Sequence, residues 1–337
     1  MAAEKNLRVV ITAQGGSEVL KLVEDALPIP GPGQVRVKNL ASGVAYADVL
    51  MRRGLYPQTP PFPFAPGYDI VGDIDALGPG VQQFSIGQRV AALTMVGGYA
   101  QFTIVPEAHL VSVPANLDPA EAVSLVLNYV TAYQMLHRFA HIRAGQSLLV
   151  HGAAGGVGTA ALQLGRIVSL KTFGTASKTK HALVSSLGAV PINYRSENFV
   201  ERLGQLLPGG VDCVLDPIGG KNWLASYRCL RPGGVLACYG ASSAVTEGKL
   251  FAGLGLATLG LLKLLPGKHA FWYNIKHLRD QHPDWFREDL CKLFDLLAAS
   301  QIRPIIAEKL PLREAARANQ LLEQGQVSGK LVLLPQQ

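Results

Sequence analysis

Residues 151–164 read HGAAGGVGTAALQL, with Gly155 and Gly158 where an apolar strand gives way to a helix-forming run. Glycines at such a junction cradle a dinucleotide pyrophosphate. Gly155 lets the backbone approach the anion, Gly158 lets the helix pack on the sheet, and the N–H groups of the first helical turn point at the phosphates. Ala153 stands where the fingerprint has its first glycine, so the match is A-x-G-x-x-G. The identity of the dinucleotide is read from the end of the next strand, GTASKTK. An NAD site places Asp or Glu there for the ribose hydroxyls. Here Ala176 occupies the place, and Ser177, Lys178 and Lys180 follow. An acid would repel a 2′-phosphate, whereas a hydroxyl and ammonium groups attract one. NADPH is therefore the expected cofactor, and Tyr194, ending the next strand in INYR, is placed to flank its adenosine end.

Other reactive side chains carry weaker patterns. Cys213, Cys229, Cys238 and Cys291 form no C-x-x-C pair, so a zinc lobe or redox pair is not expected and buried, reduced thiols are. His137 and His141 stand at i, i+4 on a predicted helix, yet no acid lies between them, which favours exposed imidazoles over a metal site. The net charge is +7, but basic residues are scattered apart from Arg52-Arg53 and Lys178/Lys180, a pattern that argues against nucleic acid as a partner. The start of the chain lacks a basic flank followed by an apolar core, so no signal peptide and a reducing, cytoplasmic location are expected.

These residues need elements to hold them. At 337 residues the chain suggests two domains. The first 120 or so alternate apolar and polar residues over short lengths broken by Gly and Pro, which predicts short antiparallel strands in a barrel-like module. PAEAVSLVLNYVTAYQMLHRF then has helical spacing, starting near Asp118 or Pro119. From Ser147 strands and helices alternate, as in a parallel, doubly wound sheet. After about 277 a helix, short strands and the closing strand KLVLLP are expected to return to the first module.

GVAYADVLMRRGLYP, PGYDIVGDIDALGPGV, GQRVAAL, GGYAQF and NYVTAY, in this order and spacing, resemble the medium-chain dehydrogenase/reductase superfamily over nearly the whole chain. VLNYVTAY, HGAAGGVG, FGTAS, LDPIGG and GKLVLLP resemble its zinc-independent quinone oxidoreductases of the zeta-crystallin type, and especially the vesicle amine transport protein branch. The resemblance implies an α/β fold with a GroES-like β-barrel catalytic domain (1–125 and 277–337) and a doubly wound Rossmann domain (126–276) that binds NADPH. By that resemblance Asn128 and Thr131 lie beside the nicotinamide, and Gly155, Gly156 and Val157 contact the pyrophosphate. Ser177, Lys180 and Tyr194 would bind the 2′-phosphate with Lys178 as a second candidate, while Gly240 and Lys330 border the cofactor. Zinc-dependent members use a cysteine, a histidine and a cysteine; the corresponding positions are Ala45, Tyr68 and Leu127, so a metal-free site is expected.

Without a Lewis acid, hydride transfer to a saturated ketone would leave a localised alkoxide unsupported. Transfer to a quinone, or to the β-carbon of an enone, spreads the charge so that hydrogen bonds suffice. The implied function is an NADPH-dependent quinone or enone reductase acting on small hydrophobic acceptors. The family's usual asparagine is Ala45 here; Tyr56, matching a tyrosine at the family's substrate cleft, is the first candidate to polarise the acceptor carbonyl and Tyr46 the second, with water as another proton source. The alternative is a lipid-, membrane- or RNA-binding protein of the same fold with little turnover. An apolar insertion at about 246–269 admits a substrate lid, a dimer contact or a peripheral membrane contact through 250–265. A homodimer is expected by analogy, with the strand in VLACYG pairing with its copy.

Overall fold

The computed structural model describes residues 5–247 and 249–337. The chain divides into two compact units, Met1–Val130 with Lys276–Gln337, and Thr131–Ile275.

The first unit is built on strands. β1 (Lys5–Ile11) and β2 (Leu20–Ala26) form an antiparallel pair. β3 (Gln34–Val44), β4 (Asp69–Leu77), β5 (Arg89–Leu93), β6 (Phe102–Pro106) and β7 (Leu110–Ser112) join two strands from the end of the chain, β14 (Ile306–Pro311) and β15 (Lys330–Leu334). The order is β14-β15-β3-β4-β5-β7, with β6 paired to β3. β3 reaches its three partners, β15, β4 and β6, because it is 11 residues long and shifts register at Arg36/Val37 and Asn39/Ala41. The period-2 apolar positions meet in one core: Val35 and Val37, Ile70 and Ile74, Val90 and Ala92. β15 lies antiparallel to β3 at Val44, Gly43 and Ser42, so the C-terminal return brings Lys330 to the start of β4 beside the end of β3.

Asp118 caps the predicted helix as expected, accepting from Ala120 N and Glu121 N with Pro119 in the first turn. The stretch is not one regular α-helix. Pro119–Ser124 passes into a π-helical turn at Leu125–Tyr129, returns to α at Val130–Tyr133, and widens again at Gln134–Phe139. It ends before His141, which has φ +46° and is exposed, so the two histidines do not share a helix face; the His137 ring instead meets that of Tyr133 at a tilt of 49°.

The second unit holds β8 (Ser147–His151), β9 (Lys171–Ala176), β10 (Val190–Asn193), β11 (Val211–Asp216), β12 (Leu230–Cys238) and β13 (His269–Trp272). All pair in parallel, in the order β10-β9-β8-β11-β12-β13. Numbered within the unit this is 3-2-1-4-5-6, the doubly wound dinucleotide-binding order, with its topological switch between β8 and β11. Leu149, Phe173, Ile192, Val214 and Leu236 of the sheet pack against Leu203, Trp223, Leu259 and Leu262 of its helices. Burial of each such side chain contributes about 1.5–3 kcal/mol.

Two expectations are corrected. β12, the strand of VLACYG, is interior: β11 and β13 occupy both of its edges, so it cannot pair with a copy, and the outer strand is β13. Cys291 is exposed on the helix Pro283–Ala298, and only Cys213, Cys229 and Cys238 are buried. Of the apolar insertion, Gly248 lies outside the described residues, and Lys249–Leu264 forms a helix. Among the described residues no helix is long and apolar enough to cross a membrane.

Candidate active site: a phosphate cradle and a phenol pair

At the end of β8 the chain turns through Gly152, φ +63°, and Gly155 caps the helix Gly156–Ile167. A Cβ on Gly158 would overlap the Gly152 carbonyl, so only glycine allows this loop to close on the helix. Gly156 and Val157 lie half-exposed in the first turn, whose N–H groups have no intrahelical acceptor. Ala153 in place of the first glycine is accommodated from across the sheet. Its side chain is fully buried, and on β9 the facing residue is Gly174, where a Cβ would come within 2.6 Å of the Ala153 methyl.

Beneath this loop runs a buried chain of hydrogen bonds. Asp216, ending β11, accepts from Ile218 N (2.8 Å), Asn222 Nδ2 (2.7 Å) and Ser226 Oγ (2.6 Å). The Ser226 proton is thereby used, so His151 Nε2 donates to Ser226 Oγ at 3.0 Å, and Nδ1 accepts from Thr175 Oγ1 at 3.0 Å. Burial pushes the His151 pKa down, which keeps the ring neutral in this role. The chain ties together the ends of β8, β9 and β11, the strands that bracket the switch point. Sequence reasoning did not find it, because its members are spread from position 151 to 226.

After Ala176 the chain makes a short turn at Lys178–Lys180, with Ser177 Oγ 3.2 Å from Thr179 Oγ1. Lys178 is exposed and Lys180 half-buried. The Lys180 pKa is lowered, first by burial and then by the nearby positive charge of Arg195. Arg195 lies over the ring of Tyr194, 5.9 Å from its centroid. Two cations near enough for one to lower the other's pKa fit a dianionic ligand group, and Arg195 is a candidate that sequence reasoning passed over although it follows Tyr194 directly in INYR. Gly240 follows β12, where a Cβ would crowd the Pro217 carbonyl. Thr131 is buried in the α-helical turn Val130–Tyr133. These features fit NADPH: a backbone cradle for the pyrophosphate, no carboxylate where the 2′-phosphate would lie, and cations beside it.

The first unit holds the phenols. The helix Tyr46–Arg52 begins after Ala45, and the buried carboxylate of Asp48 accepts from Ala45 N (2.9 Å), Gly67 N (3.1 Å) and Tyr99 Oη (3.0 Å). One side chain thus joins the start of that helix to the Pro66–Gly67 turn. Burial pushes the Asp48 pKa up to about 6 against the pull of these donors. Gly67 has φ +110°, and a Cβ there would press on the backbone of Gly98 and Tyr99. The turn delivers Tyr68, whose hydroxyl lies 2.8 Å from that of Tyr56. Burial raises the pKa of both phenols, so both are protonated at neutral pH. Tyr46 is half-buried and also raised, by burial and then by the charge of Glu323. That glutamate is gripped by Arg52 (2.9 Å) and Arg53 (2.6 Å).

Lys330 does not present a free ammonium. It lies in a buried ion pair with Asp69, Nζ at 2.9 and 3.1 Å from the two carboxylate oxygens. Burial raises the Asp69 pKa, opposed by Lys330 and by a hydrogen bond from the Leu127 backbone. A Cβ on Gly43, beside them on β3, would overlap both side chains. Asn128, in the π-helical turn after Leu127, is buried. The turn that carries Asn128 is therefore held by the same ion pair.

Residues 31–115 match the alcohol dehydrogenase GroES-like domain family, and residues 187–333 match a family described as zinc-binding dehydrogenase. The rat (Rattus norvegicus) synaptic vesicle membrane protein VAT-1 homolog is 35% identical, over 97% of this chain and 83% of its own length. The chain belongs to the zeta-crystallin-like medium-chain dehydrogenase/reductases. Within this oxidoreductase family, a 2-haloacrylate reductase from Burkholderia sp. is 33% identical over 98% of this chain and 99% of its own. The Escherichia coli quinone oxidoreductase, solved in complex with NADPH, superposes with a TM-score of 0.89 at 30% identity, covering 98% of this chain and 100% of that one. The GroES-like and Rossmann folds read from the sequence are those of the family. Zinc, which one matching family description names, does not fit the donors present. Ala45 and Leu127 carry no ligand atom, the Tyr68 hydroxyl is engaged by Tyr56, and among the described residues no three His, Cys, Asp or Glu side chains are grouped to hold a metal ion.

Proposed function

We propose that the protein is an NADPH-dependent reductase of quinones or activated alkenes. The observation that carries this reading is the Tyr56–Tyr68 pair: a neutral phenol, Tyr68, at the position matched to a metal ligand of zinc-dependent relatives, hydrogen-bonded to a second neutral phenol, Tyr56. Bound NADPH would supply the hydride. Gly155, Gly156 and Val157 hold the pyrophosphate, Ser177, Lys178, Lys180 and Tyr194 with Arg195 hold the adenosine 2′-phosphate, and Thr131 and Asn128 flank the nicotinamide, with Gly240 and the paired Lys330 at its border. Tyr56 donates a hydrogen bond to the acceptor oxygen, and Tyr46 is the second donor. Neutral donors of this kind stabilise a delocalised charge more readily than a localised alkoxide, for which a metal ion offers a stronger Lewis acid. The reductase and quinone oxidoreductase relatives support the substrate class. Phenanthrenequinone, simple enones and saturated aldehydes, each supplied with NADPH and followed by nicotinamide absorbance, test the reading. Turnover of the first two and not the third is the expected result. Turnover of the aldehyde that a zinc chelator abolishes would overturn it.

One observation favours a second activity alongside the first. On the helix Lys249–Leu264 and the residues after it, Leu261 and Leu264 are 60% and 81% exposed, Leu265 is exposed, and Lys263 and Lys268 lie close in sequence. Exposed leucines among lysines suit a peripheral contact with an anionic membrane surface. Co-sedimentation with anionic vesicles, lost in a Leu261→Ser/Leu264→Ser variant, is the expected outcome. The homodimer expected by analogy would use the outer strand β13, which an Ala270→Pro variant analysed by light scattering would test.

A further inference from the structure

We propose that Tyr68 is a positioning residue that donates its hydroxyl proton to Tyr56, so that Tyr56 turns its own proton outward to the acceptor oxygen. The chemistry rests on the reductase reading above; the geometry does not. The two oxygens lie 2.8 Å apart and share a single hydrogen bond. Tyr68 is 4% exposed, and the Tyr56 oxygen is its hydroxyl's hydrogen-bond partner. Were Tyr56 the donor, the Tyr68 proton would be buried with no acceptor, the costly state for a polar group. With Tyr68 as donor no such penalty arises, because Tyr56 is only half-buried and its proton can reach water or a ligand.

The backbone leaves Tyr68 little freedom to do otherwise. Its carbonyl accepts from Thr94 N at 2.9 Å and Met95 N at 3.1 Å. The preceding Gly67 is held on both sides, its N–H by Asp48 (3.1 Å) and its carbonyl by Thr94 Oγ1 (2.8 Å). Met95 has φ +69°, a left-handed conformation that a long side chain keeps only where its surroundings impose it. The charged groups that act on the pair come from two helices. Asp48, on Tyr46–Arg52, raises both phenols, while Lys276 lowers Tyr56 and Arg279 lowers Tyr68, both from Ile275–Gln281. Arg279 is bound to the Leu93 carbonyl and to Asp280, and Lys276 is paired with Asp280.

In the reduction, hydride ends as a new C–H bond at the β-carbon of an enone or as a new O–H bond at one oxygen of a quinone, and the conjugated π electrons move onto the acceptor oxygen (in a quinone, the second oxygen). That oxygen takes the Tyr56 proton, and the O–H bonding pair stays on Tyr56 as a phenolate. The Tyr68 hydroxyl, already donating, stabilises that phenolate, and water returns the proton. A tyrosine whose partner donates is thus a better acid than an isolated one.

Titration of tyrosinate absorbance in the wild type, Tyr68→Phe and Tyr56→Phe proteins isolates the Tyr56 transition. In Tyr68→Phe this transition should move to higher pH, because the phenolate has lost its donor. With phenanthrenequinone, kcat should fall about five- to tenfold while KM and NADPH affinity hold, and the alkaline limb of the kcat profile should move up. A Tyr56 transition that stays in place or moves down would overturn the proposal, a downward shift meaning that Tyr56 had been the donor. Loss of turnover in Tyr56→Phe with an unchanged rate and pH profile in Tyr68→Phe would also overturn it, leaving the reductase reading intact. Should the wild type bind NADPH yet reduce no quinone or enone, the reading fails and the titration still decides the geometry. If Tyr68→Phe does not fold, the Cζ chemical shift of Tyr56 in labelled wild-type protein distinguishes an accepting from a donating hydroxyl.

Discussion

The cradle at 151–158 and the phenol site around Tyr56 and Tyr68 are built by opposite means. The cradle is made of backbone and of missing side chains. Gly152 turns it, Gly155 caps it, and Gly158 and Gly174 leave room. The phenol site is made of interlocked buried side chains drawn from distant stretches, with Asp48, Tyr99, Asp69 and Lys330 all enclosed. A backbone-built site tolerates no added atom. A side-chain-built site tolerates no lost partner.

That contrast can be broken by experiment. The largest effect is expected from Gly158→Val, where the added atoms collide with the Gly152 carbonyl. NADPH binding measured by calorimetry should weaken by about a hundredfold or more, or folding should fail. Lys330→Ala tests the other side by removing a partner. It strands the Asp69 carboxylate in the core and should cost about 3–5 kcal/mol in urea unfolding, whereas Asp69→Asn/Lys330→Met should recover much of that. A loss near zero in the single variant would show that the pair is not buried in solution.

Asp48 sharpens the comparison through pH. Its pKa is pushed up to about 6, above the free aspartate value of 3.8. The contribution to stability is therefore complete below about pH 4 and lost as pH rises through about 6, a change of about 3 kcal/mol. Unfolding free energies of the wild type should show that decline, and those of Asp48→Asn should show a smaller one, with the part owed to Asp69 remaining. The smallest effect belongs to Lys180 and Arg195. Lys180→Ala should weaken NADPH about ten- to a hundredfold and Arg195→Ala less, with NADH little affected. Equal losses for both cofactors would remove the 2′-phosphate assignment.

Legibility followed the same division. The glycine spacing, the missing acid at Ala176 and the lysines after it were readable because a phosphate loop is local: strand, turn and helix start are contiguous. The β/α alternation gave away the doubly wound sheet for a similar reason, each element announcing itself by its own period. The Tyr56–Tyr68 bond was not readable, although both tyrosines were noticed, because sequence carries no side-chain direction across a turn. The Ala153–Gly174 complement, the His151–Ser226–Asp216 chain and the capture of Lys330 by Asp69 were invisible for the same cause. The interior place of β12 was misjudged because strand order depends on where β13 lands after the apolar helix.

Residue order alone thus pointed to which elements form, to the glycine turn proposed to hold the dinucleotide and to the cofactor charge it suits, since these depend on periodicity and on neighbours a few bonds away. Packing settled which two hydroxyls share a hydrogen bond, which carboxylates are buried and which lysine is already engaged. Those outcomes turn on desolvation and on hydrogen-bond partners tens to hundreds of residues apart, and only the folded chain brings such groups within 3 Å or so of one another.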